Sequence, residues 1–295
     1  METYDAIIVG AGPAGLTAAA YLGRFRRRAL VLDGGVPRAA WIPESHNTPG
    51  FPEGVSGREL LERLSDQARR YGAKIRPGRA EAMERAREGF EFVLDGGPAR
   101  ASFALLATGI VDRKPDIEGL DQAILRGLVR VCPICDAYEA IDKAIAVIGD
   151  GDLGGREAAF LRTYSDRVTL LHCGDPFGPA KLRALREKGI EALNIATGAL
   201  SLDETRVWLG DAAGGARRAF DCLYLAFGCD AADSLALKWG AAHDEDQNLI
   251  VNAHQQTSIN GLYAAGDFVR GLNQIAVATA EAAIAATDIH NRLRA

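Results

Sequence analysis

The sequence predicts an α/β chain of two Rossmann-like units, the first interrupted by the second. Three observations carry that reading. A strand, a glycine loop, a helix and a second strand follow one another from Ala6 to Asp33. The same succession begins again at Ala144, and after residue 243 a last strand and a long helix return, from Leu262 to about Arg292. Short apolar strands alternating with helices mark a parallel sheet covered on both faces. At roughly 150 residues per domain, 295 residues suffice for two.

Composition narrows the function classes. The chain is 48% apolar and 25% charged, which argues against disorder or a small disulfide-stapled scaffold. A formal charge of −5 gives no electrostatic case for nucleic acid. No run of about 20 apolar residues occurs, so no membrane span is expected. Met1–Asp5 is acidic and leads straight into a strand, unlike a secretory leader. Five cysteines, an odd number, do not fit an extracellular disulfide framework. A cytoplasmic protein with one special cysteine pair is expected.

The elements follow in order. Ala6–Val9 is a buried strand, residues 16–25 a helix rich in Ala and Leu, and Ala29–Leu32 a second buried strand. A helix is predicted over 56–71, with Ser56 and Glu59 as its capping box and Gly72 at its stop. Leu60, Leu61, Leu64, Ala68 and Tyr71 form its packing face. Strands are predicted at Phe90–Leu94 and over 103–107, separated by a turn at Gly96-Gly97-Pro98. Near Lys114-Pro115 the chain changes unit. Strand 144–148, a helix over 155–164 and strand 167–171 make the second βαβ unit. The closing helix from Gln274 is apolar nearly all round, so burial is expected.

Gly10-Ala11-Gly12-Pro13-Ala14-Gly15 is the strongest single signal. Gly10 permits the tight turn, Gly12 lets backbone approach a pyrophosphate, and Gly15 lets helix and strand pack closely. The helix N-terminus offers free N–H groups and partial positive charge to phosphates. Asp33 stands 23 positions after Gly10, where an acid can hold ribose hydroxyls. The loop follows a strand and opens a helix, so it predicts dinucleotide binding.

The second loop keeps Gly149, Gly151 and Gly154 but not the groups around them. His172 occupies the slot of the ribose acid, and no arginine stands by for a 2′-phosphate. Asp150 and Asp152 add negative charge beside the proposed phosphate site. Both a nucleotide site and a bare scaffold are compatible with this loop.

Cys132-Pro133-Ile134-Cys135 has the spacing of reversible disulfide chemistry. Structural zinc would need four ligands, and no second pair with metal spacing occurs. Asp136 is placed to serve as acid and base for the thiolate that attacks or leaves, or else to stabilise a helix start. Cys222 and Cys229 read as core, Cys173 is ambiguous, and His172 reads as a surface residue. Gly266-Asp267, after a strand and before the last helix, could hold a second polyol or phosphate segment.

Taken in order, these marks resemble the low-molecular-weight thioredoxin reductases over nearly the whole chain. They are Gly10-x-Gly12-x-x-Gly15, the segment from His46-Asn47 to Pro52, Ala107-Thr108-Gly109, Cys132-x-x-Cys135-Asp136, the second glycine loop, and the segment from Gly261 to Asp267. The resemblance implies two three-layer (ββα) domains. Residues 1–113 and 244–295 would form a discontinuous FAD-binding domain, and residues 114–243 an NAD(P)-binding-like domain carrying the redox pair. It implies that Asp267 contacts the ribitol and that Gln274-Ile275 begin the helix at the flavin edge. It places Asn47, Thr108 and Gly109 near the cofactor. It implies a Cys132–Cys135 disulfide facing the flavin, with Cys135 toward the flavin and Cys132 attacking the partner. It also implies a homodimer, a smaller domain that rotates, and a thioredoxin-like partner.

One departure bears on the electron donor. Family members that use NADPH carry His-Arg-Arg-x-x-x-Arg after the second βαβ strand. Here those slots read His172-Cys173-Gly174-Asp175-Pro176-Phe177-Gly178. Each lost arginine is a charge-assisted contact of about 1.5–3 kcal/mol. The expected donor is therefore not NADPH. Branches that resemble ferredoxin-linked reductases, and others that resemble dithiol oxidases using oxygen on a small-molecule dithiol, remain open. So does a flavin redox sensor without turnover.

Overall fold

The apolar run Ala6–Val9 lies at the centre of the larger sheet, within β1 (Glu2–Val9). The computed structural model describes residues 1–95, 97–210, 217–231 and 239–295. The predicted turn residue Gly96 lies outside them. β1 pairs in parallel with β2 (Ala29–Asp33) on one side and β6 (Ala99–Leu106) on the other. β3 (Lys74–Pro77) extends the β2 edge, also in parallel. The far edge of β6 is shared. Its first half pairs antiparallel with β5 (Phe90–Leu94), and its second half pairs parallel with β17 (Leu262–Ala264). β4 (Ala80–Arg85) follows β5. A strand from beyond residue 260 thus completes a sheet begun at residue 2.

Small residues set the helix layer of this sheet. α1 (Pro13–Arg24) buries Ala18, Ala19 and Ala20. The closing helix buries Ala282, Ala285 and Ala286 in the same cluster, so the backbones approach closely. α2 (Gly57–Arg70) begins as predicted: Ser56 Oγ accepts the Glu59 N–H at 3.1 Å. Gly72 follows its end at φ +86°, where glycine costs least. Of its expected packing face only Leu60 and Ala68 are buried; Leu61, Leu64 and Tyr71 are half-covered.

The smaller sheet runs β11 (Glu191–Asn194), β10 (Val168–His172), β9 (Ile145–Gly149), β15 (Cys222–Leu225), β8 (Val129–Arg130), all parallel. α5 (Asp152–Leu161) covers β9 and β10, α3 (Leu120–Leu125) lies by β8 and α6 (Pro179–Glu187) by β11, and the short α7 (Asp267–Arg270) follows β17. An antiparallel three-stranded sheet, β12 (Leu200–Leu202), β13 (Val207–Leu209) and β14 (Arg218–Phe220), adjoins it. β7 (Ile110–Asp112) and β16 (Cys229–Ala231) pair as a two-stranded ribbon where the chain passes between the two large sheets. The smaller sheet is parallel and the larger is parallel apart from its antiparallel β5–β4 edge, and helices pack on both, which is the predicted α/β class.

Two expectations need correction. The last helix, α8 (Ile275–Arg292), is not buried all round: Ala276, Ala280 and Ile284 face solvent, while Ala278, Glu281, Ala282 and Ile289 face the core. Alanine counts as apolar but costs little in water, so an alanine-rich helix hides its own polarity. His172 is not a surface residue. It is only 2% exposed, its Nε2 meets the Asp175 carbonyl at 2.8 Å, and its ring stacks on Phe177.

Candidate active site

The first glycine loop shows why its residues must be small. Gly10 stands at φ +115°, and a Cβ there would overlap the Ala107 carbonyl oxygen. A Cβ on Gly15 would overlap the Gly10 carbonyl, which is the close helix–strand approach expected of the third glycine. Gly12 differs. A Cβ on it would meet nothing nearer than Pro37 Cβ at 3.8 Å, so its open side faces the cleft and is not closed by packing. Gly12 also caps α1 without a side-chain bond, and Pro13 takes the first helical position. The N–H groups of that first turn are left for an outside acceptor.

A cleft of about 990 Å³ opens on this loop. Gly10, Gly12, Pro13, Ala14, Asp33, Asn47, Thr108, Gly109, Gly266, Asp267, Gln274 and Ile275 all line it, together with Cys132, Cys135 and Asp136. Gly15 alone among the predicted site residues lies behind the lining, in the helix–strand contact. Asp33 ends β2 and accepts the Gly35 N–H at 3.2 Å. Asn273, on the cleft wall, carries a buried Oδ1 with no hydrogen bond among the described residues. An uncapped helix start, an open glycine and an orphaned carbonyl on one cleft fit a dinucleotide such as FAD.

Cys132 and Cys135 form a disulfide, with α4 (Pro133–Asp136) turning between them. Gln274, the residue before α8, reaches both sulfurs: its Nε2 lies 3.5 Å from Cys132 Sγ and 3.4 Å from Cys135 Sγ. Its Oε1 accepts from Asn47 Nδ2 at 2.9 Å, and the same amide is 3.5 Å from the Ile134 carbonyl. Residues far apart in sequence thus clamp the disulfide at the mouth of the glycine-loop cleft. Trp41 packs with the core of the smaller sheet and carries the Lys114 ammonium 4.0 Å above its ring.

Asp136 follows Cys135 directly. Burial raises its carboxyl to about 6, against the opposing pull of the Arg130 guanidinium. Tyr224 Oη donates to its Oδ1 at 2.9 Å, and Arg130 Nη1 lies 3.8 Å from the same oxygen. A carboxyl near neutrality is suited to both taking and giving a proton.

Several residues around the cleft gave no signal in the sequence. Arg38 donates to Asp112 at 2.7 and 2.9 Å and reaches Asp267 at 3.4 Å. Burial raises the Asp267 carboxyl, and Arg38 opposes that rise. Glu281 is buried in α8 and accepts the Gly266 N–H at 2.8 Å and Arg270 Nε at 2.7 Å, fixing the turn that presents Asp267. A charged residue within an alanine-rich helix is the signal that could have found it. Cys229 is partly buried in β16 opposite Asp112 and packs against the core of the larger sheet, while Cys222 is fully buried. Cys173 is half-buried with its Sγ 3.5 Å from the Gly149 carbonyl, and burial raises its thiol.

The second glycine loop is packed by the protein at Gly149 and Gly154 and open at Gly151, where a Cβ would meet nothing within 4 Å. A Cβ on Gly149 would crowd the Ala226 carbonyl, and one on Gly174 would overlap the Asp150 carbonyl. Asp152, first in α5, is paired with Lys181. His172 and Phe177 stack on each other within residues 172–178, a segment that carries no arginine.

Comparison with known proteins agrees with this geometry. The family model described as pyridine nucleotide-disulphide oxidoreductase matches residues 4–282. A thioredoxin reductase from Treponema pallidum is 33% identical over 300 residues, covering 97% of this chain and 96% of its own. The structure of a Giardia duodenalis thioredoxin reductase superposes with a TM-score of 0.85 at 26% identity, over 100% of both chains. The crystal structure of HlmI gives 0.90 at 26% identity, over 99% of this chain and 93% of that one. A glycine-loop cleft with a disulfide at its mouth, and a family match over nearly the whole chain, lead to one assignment: the protein belongs to the pyridine nucleotide-disulphide oxidoreductase family, as an FAD-dependent disulfide oxidoreductase similar to thioredoxin reductases.

Proposed function

We propose that the protein moves two electrons between FAD and the Cys132–Cys135 disulfide, and from there to or from a thioredoxin-like protein, with a donor other than NADPH. Residues 1–113 and 244–295 hold the FAD, and residues 114–243 carry the redox pair. The observation that carries the reading is the Gln274 amide within 3.5 Å of both sulfurs, at the mouth of the cleft that the Gly10–Gly15 loop opens. Gly10, Gly12, Pro13 and Ala14 receive the pyrophosphate, Asp33 the ribose and Asp267 the ribitol. Asn47, Thr108, Gly109, Gln274 and Ile275 lie along the rest of the cofactor. Bound there, FAD supplies the two-electron chemistry that resets the cysteine pair.

The chain's own part is thiol exchange. In the oxidising direction a substrate thiolate attacks Cys132, the 132–135 bond breaks, and Cys135 leaves as a thiolate. A second substrate thiol then attacks the mixed disulfide and frees Cys132. The substrate loses two electrons and two protons and becomes a disulfide, while the protein disulfide becomes two thiols. Asp136 takes the proton from the attacking thiol and returns it to the departing thiolate. With a disulfide partner the same steps run in reverse.

The second loop supports a donor other than NADPH. With Lys181 engaged by Asp152, and no arginine among residues 172–178, a 2′-phosphate meets no free cation in that segment. Anaerobic titration should show no bleaching of the flavin by micromolar NADPH or NADH, and full bleaching by dithionite. Rapid bleaching by NADPH would overturn this part of the proposal. Reduced ferredoxin or substrate thiols are then the donors to assay.

A second reading draws on the extent of the cleft. Its lining also includes Arg126, Lys143, Glu204 and Asp221. Such a cleft could admit a small-molecule dithiol as well as a protein, with oxygen as final acceptor. Oxygen consumption on adding a dithiol, without nucleotide, distinguishes this oxidase from a reductase.

A further inference from the structure

We propose that Tyr224 and Arg130 are positioning residues for Asp136, holding its carboxylate by one oxygen beside the redox pair. This rests on the role given above to Asp136 and adds the device that aims it. Arg130 and Tyr224 are register partners on the neighbouring parallel strands β8 and β15. Both side chains therefore leave the sheet on the same face, side by side.

The contacts form a closed set. Tyr224 is wholly buried, and its hydroxyl lies 2.9 Å from Asp136 Oδ1 and 3.2 Å from the Asp136 carbonyl. Arg130 Nη1 donates to that same carbonyl at 2.5 Å and to Tyr224 Oη at 3.2 Å, while its Nε is held by the Gly127 carbonyl at 3.1 Å. Both the backbone and the carboxylate of Asp136 are thus fixed from the floor of the site. The contacts converge on Oδ1. Oδ2 accepts no hydrogen bond from the described residues and is the oxygen left for the thiol proton. A buried tyrosine in an apolar strand needs a partner for its hydroxyl, and here the partner is the acid.

The two residues have a predictable electrostatic sense. Each stabilises the ionised carboxylate, by a hydrogen bond and by positive charge respectively. The other charged or titratable groups acting on Asp136 are Glu139, which opposes ionisation, and Lys143, which favours it. The Cys222 thiol also lies within electrostatic range.

The test uses FAD-loaded protein and dithiothreitol as the dithiol. Anaerobic reduction is followed by stopped flow from pH 5 to 9 for wild type, Tyr224→Phe, Arg130→Lys, Arg130→Met and Asp136→Asn. Dividing each variant's rate by that of wild type removes the titration of the reagent. Tyr224→Phe should move the Asp136-dependent limb upward by about one pH unit, the size of one hydrogen bond to a charge. Arg130→Met should move it further, and Arg130→Lys should restore part of the shift. Thermal melting and flavin content identify any variant that merely misfolds. If Asp136→Asn removes the limb but Tyr224→Phe and Arg130→Met leave it in place, the positioning role is wrong and the role of Asp136 stands. If Asp136→Asn leaves the limb unchanged, both fall.

Discussion

Gly10→Ala is expected to yield protein without its yellow colour. The residue stands at φ +115°, outside the range that L side chains readily adopt, and its added carbon would overlap the Ala107 carbonyl. Strain at such a position is about 1–3 kcal/mol before the overlap is counted. Relief requires Gly10 or Ala107 to move, and both line the cleft. FAD affinity should fall by at least about 100-fold, equivalent to roughly 3 kcal/mol. Gly12→Ala separates binding from folding. Its added carbon has room in the protein, so melting of the apoprotein should be unchanged while FAD affinity still falls. Absorbance after purification, reconstitution by calorimetry and a melting curve measure all three quantities. Full flavin content in Gly10→Ala would show that the loop is not the cofactor cradle.

Asp136→Asn should slow dithiol exchange by about 100-fold or more, the usual scale for removing a general acid–base. The sign of the pH effect follows from burial, which raises this carboxyl to about 6. Above that pH it is ionised and can accept a thiol proton, so oxidation of a dithiol should rise with pH through about 6 and then level. Below it the group is protonated and can donate to a leaving thiolate, so reduction of a partner disulfide should fall over the same range. Asparagine can do neither, and both limbs should vanish. The same raised value has a consequence for stability. The folded carboxyl holds its proton more tightly than an unfolded one, so the group favours the fold at low pH. That contribution is lost as pH rises toward 6. Asp136→Asn should therefore lose less stability than wild type between about pH 4 and 6, read from melting curves.

The parts of the site that the sequence revealed are those whose chemistry is local. Gly10 through Gly15, Asp33 and the 132–135 pair each stand within a few residues of one strand or helix end, and the structure gathers them at one cleft. The capping of α2 by Ser56 is legible for the same reason. What was not legible depends on contacts across the chain. Arg38 joins Asp112 and Asp267 over more than seventy and two hundred positions. Tyr224 and Arg130 meet only because β8 and β15 are neighbours. β3 and β4 escaped notice because Lys74–Pro77 and Ala80–Arg85 are polar strands with little apolar alternation. His172 misled for a related reason: its partners Asp175 and Phe177 are close in sequence, but nothing in the spacing says that the intervening turn closes over the ring.

The central claim is that flavin and the Cys132–Cys135 pair form one electron-accepting unit. An anaerobic dithionite titration counts that unit directly. Wild type should accept four electrons per protomer, two for the flavin and two for the disulfide, and the Cys132→Ser/Cys135→Ser double variant only two. In parallel, dithiothreitol should bleach the flavin of wild type and leave that of the double variant yellow. A wild-type protein that accepts only two electrons, or a double variant that dithiothreitol bleaches as fast as wild type, would contradict the account.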